Sequence, residues 1–474
     1  MQHRRDRSGL ARARPLPPAA LGFLLVACVA REEMRIAAPI PAIPSPRDSP
    51  EAETLRGPLG PHDLIRLVLA RNPDFALARA RIDVAAAALD MAAATLWPRL
   101  ALGAEYVRAD QPSTFLFRQI DARRLPPSTD FNDPGTFDDV GVSGTVAWNL
   151  WNGGRDQLGV WSAEAELLSV QAGDSAIRNE LVARAVEAFV DAQAALELIA
   201  ADESSERAVQ SQVNDTSVRV AGGSALRSDL KSLEARLGEA RERHLRSDLA
   251  RRVALATLRH LLVLPAEVDL ELSSEAYQSL DLPDSLAAAR ADARASRPEL
   301  AAARYAVERA RLEVERAARA YWPRLDGFAR IAGDDGDASL DFDHGNWSLG
   351  LALTFDAFDG GLRAADRRRA EGSLREAEES YRKACAELDL DVELCYLKLE
   401  EARARRAVAE QTLAAARESF DLVDTQYRGG SATVTRYLEA EAARTQASTA
   451  LIRARLDVDR SAVEVARAMG RNLQ

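Results

Sequence analysis

The sequence predicts a mainly α-helical fold that also supplies strands to a membrane β-barrel, built as a twofold internal repeat of long antiparallel helices plus two strands each. Three observations predict it: a heptad seam, an internal repeat, and strands with one apolar face. The seam runs Cys385, Leu388, Val392, Cys395, Leu399, Ala402, Arg406, Ala409, Leu413, Ala416, Phe420, Val423 and Tyr427. Its steps alternate three and four residues with Arg406 as the polar exception, which keeps one stripe of a helix against a partner. Leu362 to Gln426 holds no Pro and a single Gly, Gly372, so one helix of about 65 residues, roughly 100 Å long, is predicted.

The repeat is visible by self-comparison. Pro73–Leu100 matches Pro298–Leu325 at an offset of 225, ending in Trp97-Pro98-Arg99-Leu100 against Trp322-Pro323-Arg324-Leu325. Further on, Trp148 to Gly154 aligns with Phe355 to Gly361, and Gly222-Gly223-Ser224-Ala225 with Gly429-Gly430-Ser431-Ala432, both at an offset of 207. Because the offset falls from 225 to 207, the first half carries 18 more residues between its two aromatic landmarks. Gly154 to Gly222 and Gly361 to Gly429 both span 68 residues, so the two long helices match in length, as antiparallel partners in register require.

Composition agrees: 474 residues, 47% hydrophobic but 5% aromatic, and 28% charged, the profile of helical coiled coil. A net charge of −11 argues against a nucleic-acid partner, since phosphate binding draws on clustered Lys and Arg. No run of 18 apolar residues follows the N-terminus, so membrane contact has to use strands or a lipid.

In chain order, Arg4, Arg5, Arg7, Arg12 and Arg14 precede the apolar run Ala19 to Ala30, the form of an export signal over residues 1–27. Leu25-Val26-Ala27-Cys28 resembles the lipobox of bacterial lipoproteins, which implies lipidation of Cys28; the alternatives are an ordinary signal peptide with an incidental Cys, or a twin-arginine signal at Arg4-Arg5. Residues 28–60 form a Pro-rich tether. The first repeat covers 61–280 and the second 281–474. Pro61-His62-Asp63 opens a helix whose register restarts at Asn72-Pro73 and ends at Trp97-Pro98.

Strands are predicted at about 99–107, 140–150, 324–333 and 346–356. Val140, Val142, Val146, Trp148 and Leu150 alternate with Ser143, Thr145, Ala147 and Asn149, and Trp347, Leu349, Leu351, Leu353 and Phe355 alternate with Ser348, Gly350, Ala352 and Thr354. This period of two, over about ten residues, suits a tilted membrane strand. Tyr106, Trp148, Trp151, Trp347, Phe355 and Phe358 fit an interfacial belt. Four strands cannot close a barrel, and an open edge in lipid leaves backbone groups unpaired. Two copies give eight strands and a filled interior, three give twelve and a lumen; helices of about 100 Å favour a conduit, hence a trimer. Arg108 to Asp139 reads as an exposed excursion, and Ser273 to Pro298 as a short irregular connector. Gly222, Gly223, Gly429 and Gly430 mark the helix-to-helix reversals. Cys385 and Cys395, ten residues apart on one helix, cannot bridge each other and read as core.

These features together resemble the outer membrane factor family, the TolC-type efflux ducts, and within it the lipoprotein subgroup serving multidrug pumps; the resemblance covers about Gly60 to Asn472. It implies a trimer with a twelve-stranded outer membrane barrel continued by a periplasmic α-helical tunnel. The implied partners are a periplasmic adaptor protein, an inner membrane transporter and outer membrane lipid. The implied function is the outer membrane channel of a tripartite efflux system exporting small molecules. The family's tunnel-closing pattern is met by Tyr427, Gly430, Thr433, Leu438 and Glu439, whereas Arg436 stands where an acid is expected. Asp229, Glu439, Arg436 and Tyr427 are therefore the candidate constriction residues; for the acids, the alternative is a solvated helix-start carboxylate favoured by the helix dipole.

The other readings are a duct for type I protein secretion and, in a different class, a periplasmic coiled-coil adaptor or scaffold, which would need no strands with an apolar face. The five His residues, His3, His62, His244, His260 and His344, have no metal-ligand spacing. No phosphate loop or nucleophile elbow occurs, so no catalytic residue, metal or cofactor is expected. Labelled fatty acid should enter the wild-type protein and not Cys28→Ser; equal labelling of both would end the lipoprotein reading. The variant is expected to stay membrane-associated, because one acyl chain binds only marginally beside a barrel.

Overall fold

The computed structural model describes residues 57–123, 130, 132–273, 282–283, 285–335 and 345–471. The signal segment, Cys28 and the tether up to residue 56 lie outside the described residues. In chain order the elements are α1 (Pro61–Arg71), α2 (Pro73–Ala94), β1 (Arg99–Ala109), α3 (Pro112–Asp121), β2 (Phe137–Trp151), α4 (Arg155–Ala221) and α5 (Arg227–Leu261). They continue with α6 (Leu286–Ser296), α7 (Pro298–Ala318), β3 (Arg324–Asp335), β4 (Asn346–Thr354), α8 (Leu362–Arg428) and α9 (Val434–Ala468). Two compact units result, one of Trp97–Trp151 with Pro323–Phe355 and the other of the remaining described residues. This division cuts across the sequence repeat.

In the helical unit the repeat holds to the residue. α4 and α8 are each 67 residues long, and α5 and α9 each 35, but the expectation that the two long helices are each other's antiparallel partners is corrected: α4 packs along α5 and α7, and α8 along α9 and α7. The predicted seam is the buried stripe of α8, with Leu388, Val392, Cys395, Leu399, Ala402, Ala409, Leu413, Phe420 and Val423 all buried. Arg406, the exception, points to solvent and pairs with Glu410 at 3.0 Å, while Cys385 is half-buried. Along α4 the width of the apolar face follows the number of neighbours. From Leu181 to Ala192 nearly every position is buried, because Phe189 and Leu181 pack with α1 and α5, and Val182 and Val186 pack with Val463 and Ala466 of α9. Alanines on that stretch let the axes approach closely. Beyond Ala195 only a narrow stripe of Asp202, Ser205, Val209 and Thr216 stays buried.

Asn72 joins two elements to a third. Its side-chain oxygen accepts from the Asp74 backbone N–H at 2.9 Å, capping α2, and its amide donates to the Leu261 carbonyl at 3.2 Å. The end of the tether docks as well: Leu59 is buried and bridges Leu272.

The connector expectation is corrected over Leu286–Ser296, which is helical. Ser285 caps it by accepting from the Ala288 N–H at 3.2 Å, and Ala289 and Ala293 are fully buried beside Leu388 and Val392. α6 is the second copy of α1, at the same offset of 225. Its apolar stripe is alanine, too small to stand out among acidic and arginine residues.

The sheet is antiparallel in the order β1-β2-β3-β4. Its central pair joins the last strand of the first repeat to the first strand of the second, with Thr145 opposite Arg330 and an irregularity between Asn149 and Trp151. The predicted excursion is corrected as well. Its residues Pro112–Asp121 form α3, and Arg118 of that helix pairs with the buried Asp139 and, at 3.6 Å, with Glu105.

Phe189 is the largest fully buried side chain. Phe189→Ala is expected to cost about 3 to 5 kcal/mol and Phe189→Leu clearly less, because the leucine refills most of the space. Urea unfolding in detergent, followed by helical circular dichroism, measures both; two equal small losses would show that the α1–α4–α5 core collapses freely around the site.

Candidate functional site

Strand register sorts the sheet residues onto two faces. Leu100, Val146, Ala329 and Leu349 lie in one row, and Leu102, Gly144, Ile331 and Trp347 in the next. The face they share is apolar and open: Leu102 is 82% exposed, Trp347 78% and Leu351 69%. A soluble domain would bury such a face. The opposite face carries small and polar side chains, Ser143, Thr145, Ala147, Ser348, Ala352 and Thr354, and the Asn149 amide donates to Asp326 at 2.8 Å. Phe328 is apolar on this side, as are Val107 and Phe137 nearer the loop end. The Phe328 ring lies over Gly350, where a Cβ would sit 2.4 Å from the ring Cζ, so any other residue at 350 has to displace the ring.

The two helical hairpins turn by one geometry. Gly222 and Gly429 end α4 and α8, and Gly223 and Gly430 follow with φ of +73° and +77°, a region that costs L-residues. Ser224 N–H donates to Arg219 O at 2.8 Å and Gly223 N–H to Val220 O at 3.0 Å; Ser431 to Gln426 and Gly430 to Tyr427 repeat these at 2.9 and 3.0 Å. This is the paired 6→1 and 5→2 bonding of a Schellman motif, which satisfies the last carbonyls of each helix.

Near these turns lie the other candidate residues. Asp229, half-buried, stands in the first turn of α5. Arg436 gives its backbone N–H to the capping Thr433 hydroxyl at 3.3 Å and leaves its side chain exposed. Glu439 is exposed. Tyr427, half-buried, stacks on Tyr437 with centroids 4.9 Å apart, and Tyr437 in turn meets Phe420 at 5.6 Å. Within the chain Asp229 and Arg436 are not ion-paired to each other among the described residues.

Sequence reasoning missed the carboxylates that are buried here. Glu441 is 2% exposed, receives Thr445 Oγ1 at 2.8 Å, and is approached by Arg236 Nε and Nη2, each at 3.4 Å. Asp202 accepts the Ser247 hydroxyl at 2.5 Å, with Arg243 at 3.8 Å. These groups tie α4, α5 and α9 together beside an open cleft of about 520 Å³ lined by Arg236, Arg243, Arg246 and Arg453. Glu441 sits one residue past Ala440, which continues the α8-facing stripe of Ala447, Leu451 and Ala454 backwards. A helical wheel shows that flanking position, but it cannot show that Arg236 waits there.

The Cys395 thiol is not set up for chemistry. Burial first, and Asp391 second, push the Cys395 thiol up to about 11, far from the reactive range. Among the described residues no group of His, Cys, Asp and Glu could hold a metal ion, and no helix is long and apolar enough to cross a membrane.

With this geometry established, comparison with known proteins is informative. The chain matches the outer membrane efflux protein family over residues 64–262 and 289–471. It is 24% identical over 411 residues to the pyoverdine export outer membrane protein OpmQ of Pseudomonas putida, covering 86% of this chain and 85% of that protein. It is 25% identical over 366 residues to the outer membrane efflux protein BepC of Brucella suis, covering 74% and 75%. The open-state outer membrane channel MtrE of Neisseria gonorrhoeae shares the fold, with a TM-score of 0.74 at 18% identity over 87% of this chain and 89% of that one.

One contact makes the α4–α5 hairpin sensitive to pH. His244 Nδ1 lies 2.9 Å from Glu206; this hydrogen bond raises the imidazole above its ordinary 6.5 and lowers the carboxyl below its ordinary 4.5. The His244 contribution to stability is therefore complete below 6.5 and is lost as pH rises through the elevated value. The Glu206 contribution is lost instead as pH falls through its depressed value. Titration of the His244 ring by NMR should give a midpoint above 6.5 that falls in Glu206→Gln; an unchanged midpoint would remove the contact as the cause.

Proposed function

The chain belongs to the outer membrane efflux protein family, and from that premise we propose that it is the outer membrane duct of a tripartite efflux system exporting small molecules, acting as a homotrimer with a periplasmic adaptor protein and an inner membrane transporter. The observation that carries this reading is the four-stranded sheet with an exposed apolar face, a small polar face, and edges at β1 and β4. In hydrocarbon an edge with unpaired N–H and C=O groups is not tolerated. Pairing β4 of one copy with β1 of the next removes every edge, and three copies close twelve strands with the polar face inward. Trp347 and Phe355 are eight residues apart, roughly 27 Å along a strand and about 20 Å in height at a tilt of about 40°, most of an apolar band about 25 Å tall flanked by aromatic girdles.

No enzymatic role is assigned, since the family consists of channels. Transport is passive, with energy supplied by the transporter. The relative named for pyoverdine export supports a small-molecule cargo over a secreted protein. Cys28 carries the lipid anchor in this reading, residues 28–60 tether it, and 61–280 and 281–474 are the two repeats. Tyr427, Asp229, Glu439 and Arg436 at the hairpin ends form the channel constriction. Threefold symmetry sets three copies of each around one axis, and the Arg436 rings temper the field of the acidic ones.

Leu351→Arg and Ala352→Arg test the barrel, because they sit side by side on opposite faces of β4. The lipid-facing change should cost about 2 to 4 kcal/mol at mid-bilayer and the lumenal one much less. An outer membrane assembly assay with chemical crosslinking should therefore show trimers lost in Leu351→Arg and kept in Ala352→Arg. Equal tolerance of both substitutions would argue against a membrane-spanning sheet.

A further inference from the structure

Helix α3 has two faces, and only one has a partner. Its ten residues span about 15 Å at 1.5 Å per residue, close to the roughly 14 Å between the first and last of four strands about 4.8 Å apart. At one end Phe115 meets Phe137 of β2 edge-on, with centroids 5.3 Å apart. At the other the Asn346 amide of β4 donates to the Asp121 carbonyl at 3.0 Å. Between them Arg118 pairs with Asp139 and Glu105. Glu105, Asp139 and Asn346 all belong to the polar face, so α3 lies across that face rather than beside the sheet. Arg123, at φ +55°, turns the chain out of the helix just beyond Asp121.

At 100° per residue, Phe117 and Ile120 lie opposite Phe115, Arg118 and Ala122. They point away from the sheet and are 65% and 46% exposed. In chain order each hairpin runs from helix to strand and back to helix, so α3 sits at the loop end of the sheet, remote from the strand ends that join helices.

We infer that α3 is a constriction across the outer mouth of the channel, with Phe117 and Ile120 as its apolar lip and the Arg118–Asp139 pair as the latch that holds it over the lumen. The inference rests on the proposed lumenal role of the polar face. In a trimer three such lips face one axis, and an apolar ring in a narrow pore excludes water and large polar solutes. α3 thus sets which solutes cross the mouth, independently of the hairpin ends. The latch is mostly withdrawn from water, with side-chain exposures of 19% for Arg118 and 9% for Asp139, so removing one partner strands the other charge.

The test uses Ala352→Cys as a lumenal reporter, deep on the polar face, in a Cys385→Ala background on intact cells. A small charged thiol reagent added from outside should label it in every variant. A bulky membrane-impermeant maleimide should label it slowly in the parent and several-fold faster when Phe117→Ser and Ile120→Ser are added together, or Arg118→Ala. The double serine variant keeps the latch, so it carries the test if Arg118→Ala fails to assemble trimers. Equal bulky-reagent rates in all variants would overturn the constriction while leaving the channel reading intact. Failure of the small reagent to reach Ala352→Cys in assembled trimers would instead remove the lumenal reading, and the constriction with it.

Discussion

A backbone N–H or C=O group left unpaired costs most where no water can reach it, and that constraint shapes the sheet unit. Each repeat supplies only one hairpin, and a lone hairpin is marginal. The pairing of β2 with β3 joins the two hairpins into four continuous strands. It also brings together segments more than 170 residues apart in the chain, so the sheet depends on both halves being present. What remains at β1 and β4 is a pair of edges, which the proposed trimer would pair between neighbouring copies.

The helical unit answers a different constraint. A helix of 67 residues cannot be stabilised by a globular core, so it needs a partner along its whole length. The α8–α9 seam provides one in steps of three and four residues, and small side chains keep the axes close. Where four helices meet, around Phe189 and Val186, burial is nearly complete. Where only two or three meet, polar residues enter the interface in pairs, as with Asp202 and Ser247 or Glu441 and Arg236. Such buried pairs add little net stability, but they penalise any register that separates them.

The two faces of the sheet use one periodicity for opposite ends. Leu349, Leu351 and Leu353 are exposed in the single chain, as a lipid-facing row of the proposed barrel would be. Ser348, Ala352 and Thr354 on the other face are small, which suits the proposed lumen. At Gly350 the packing is close, since a side chain there would have to displace the Phe328 ring.

Much of this was legible in the sequence. The seam from Leu388 to Val423, the twofold repeat, the four strands and their faces, and the glycine pairs at the turns are local or periodic signals, fixed by side-chain spacing and backbone strain. α6 escaped notice because its apolar stripe is alanine, and α3 because prolines around it masked a short amphipathic turn. Glu441 carries no signal of its own, because a spacing rule cannot weigh burial. The β2–β3 pairing, the Glu441–Arg236 contact and the Arg118–Asp139 pair were decided by the tertiary structure alone. Each joins residues distant in sequence whose chemistry is ordinary in isolation, and only the folded chain brings them within reach of one another.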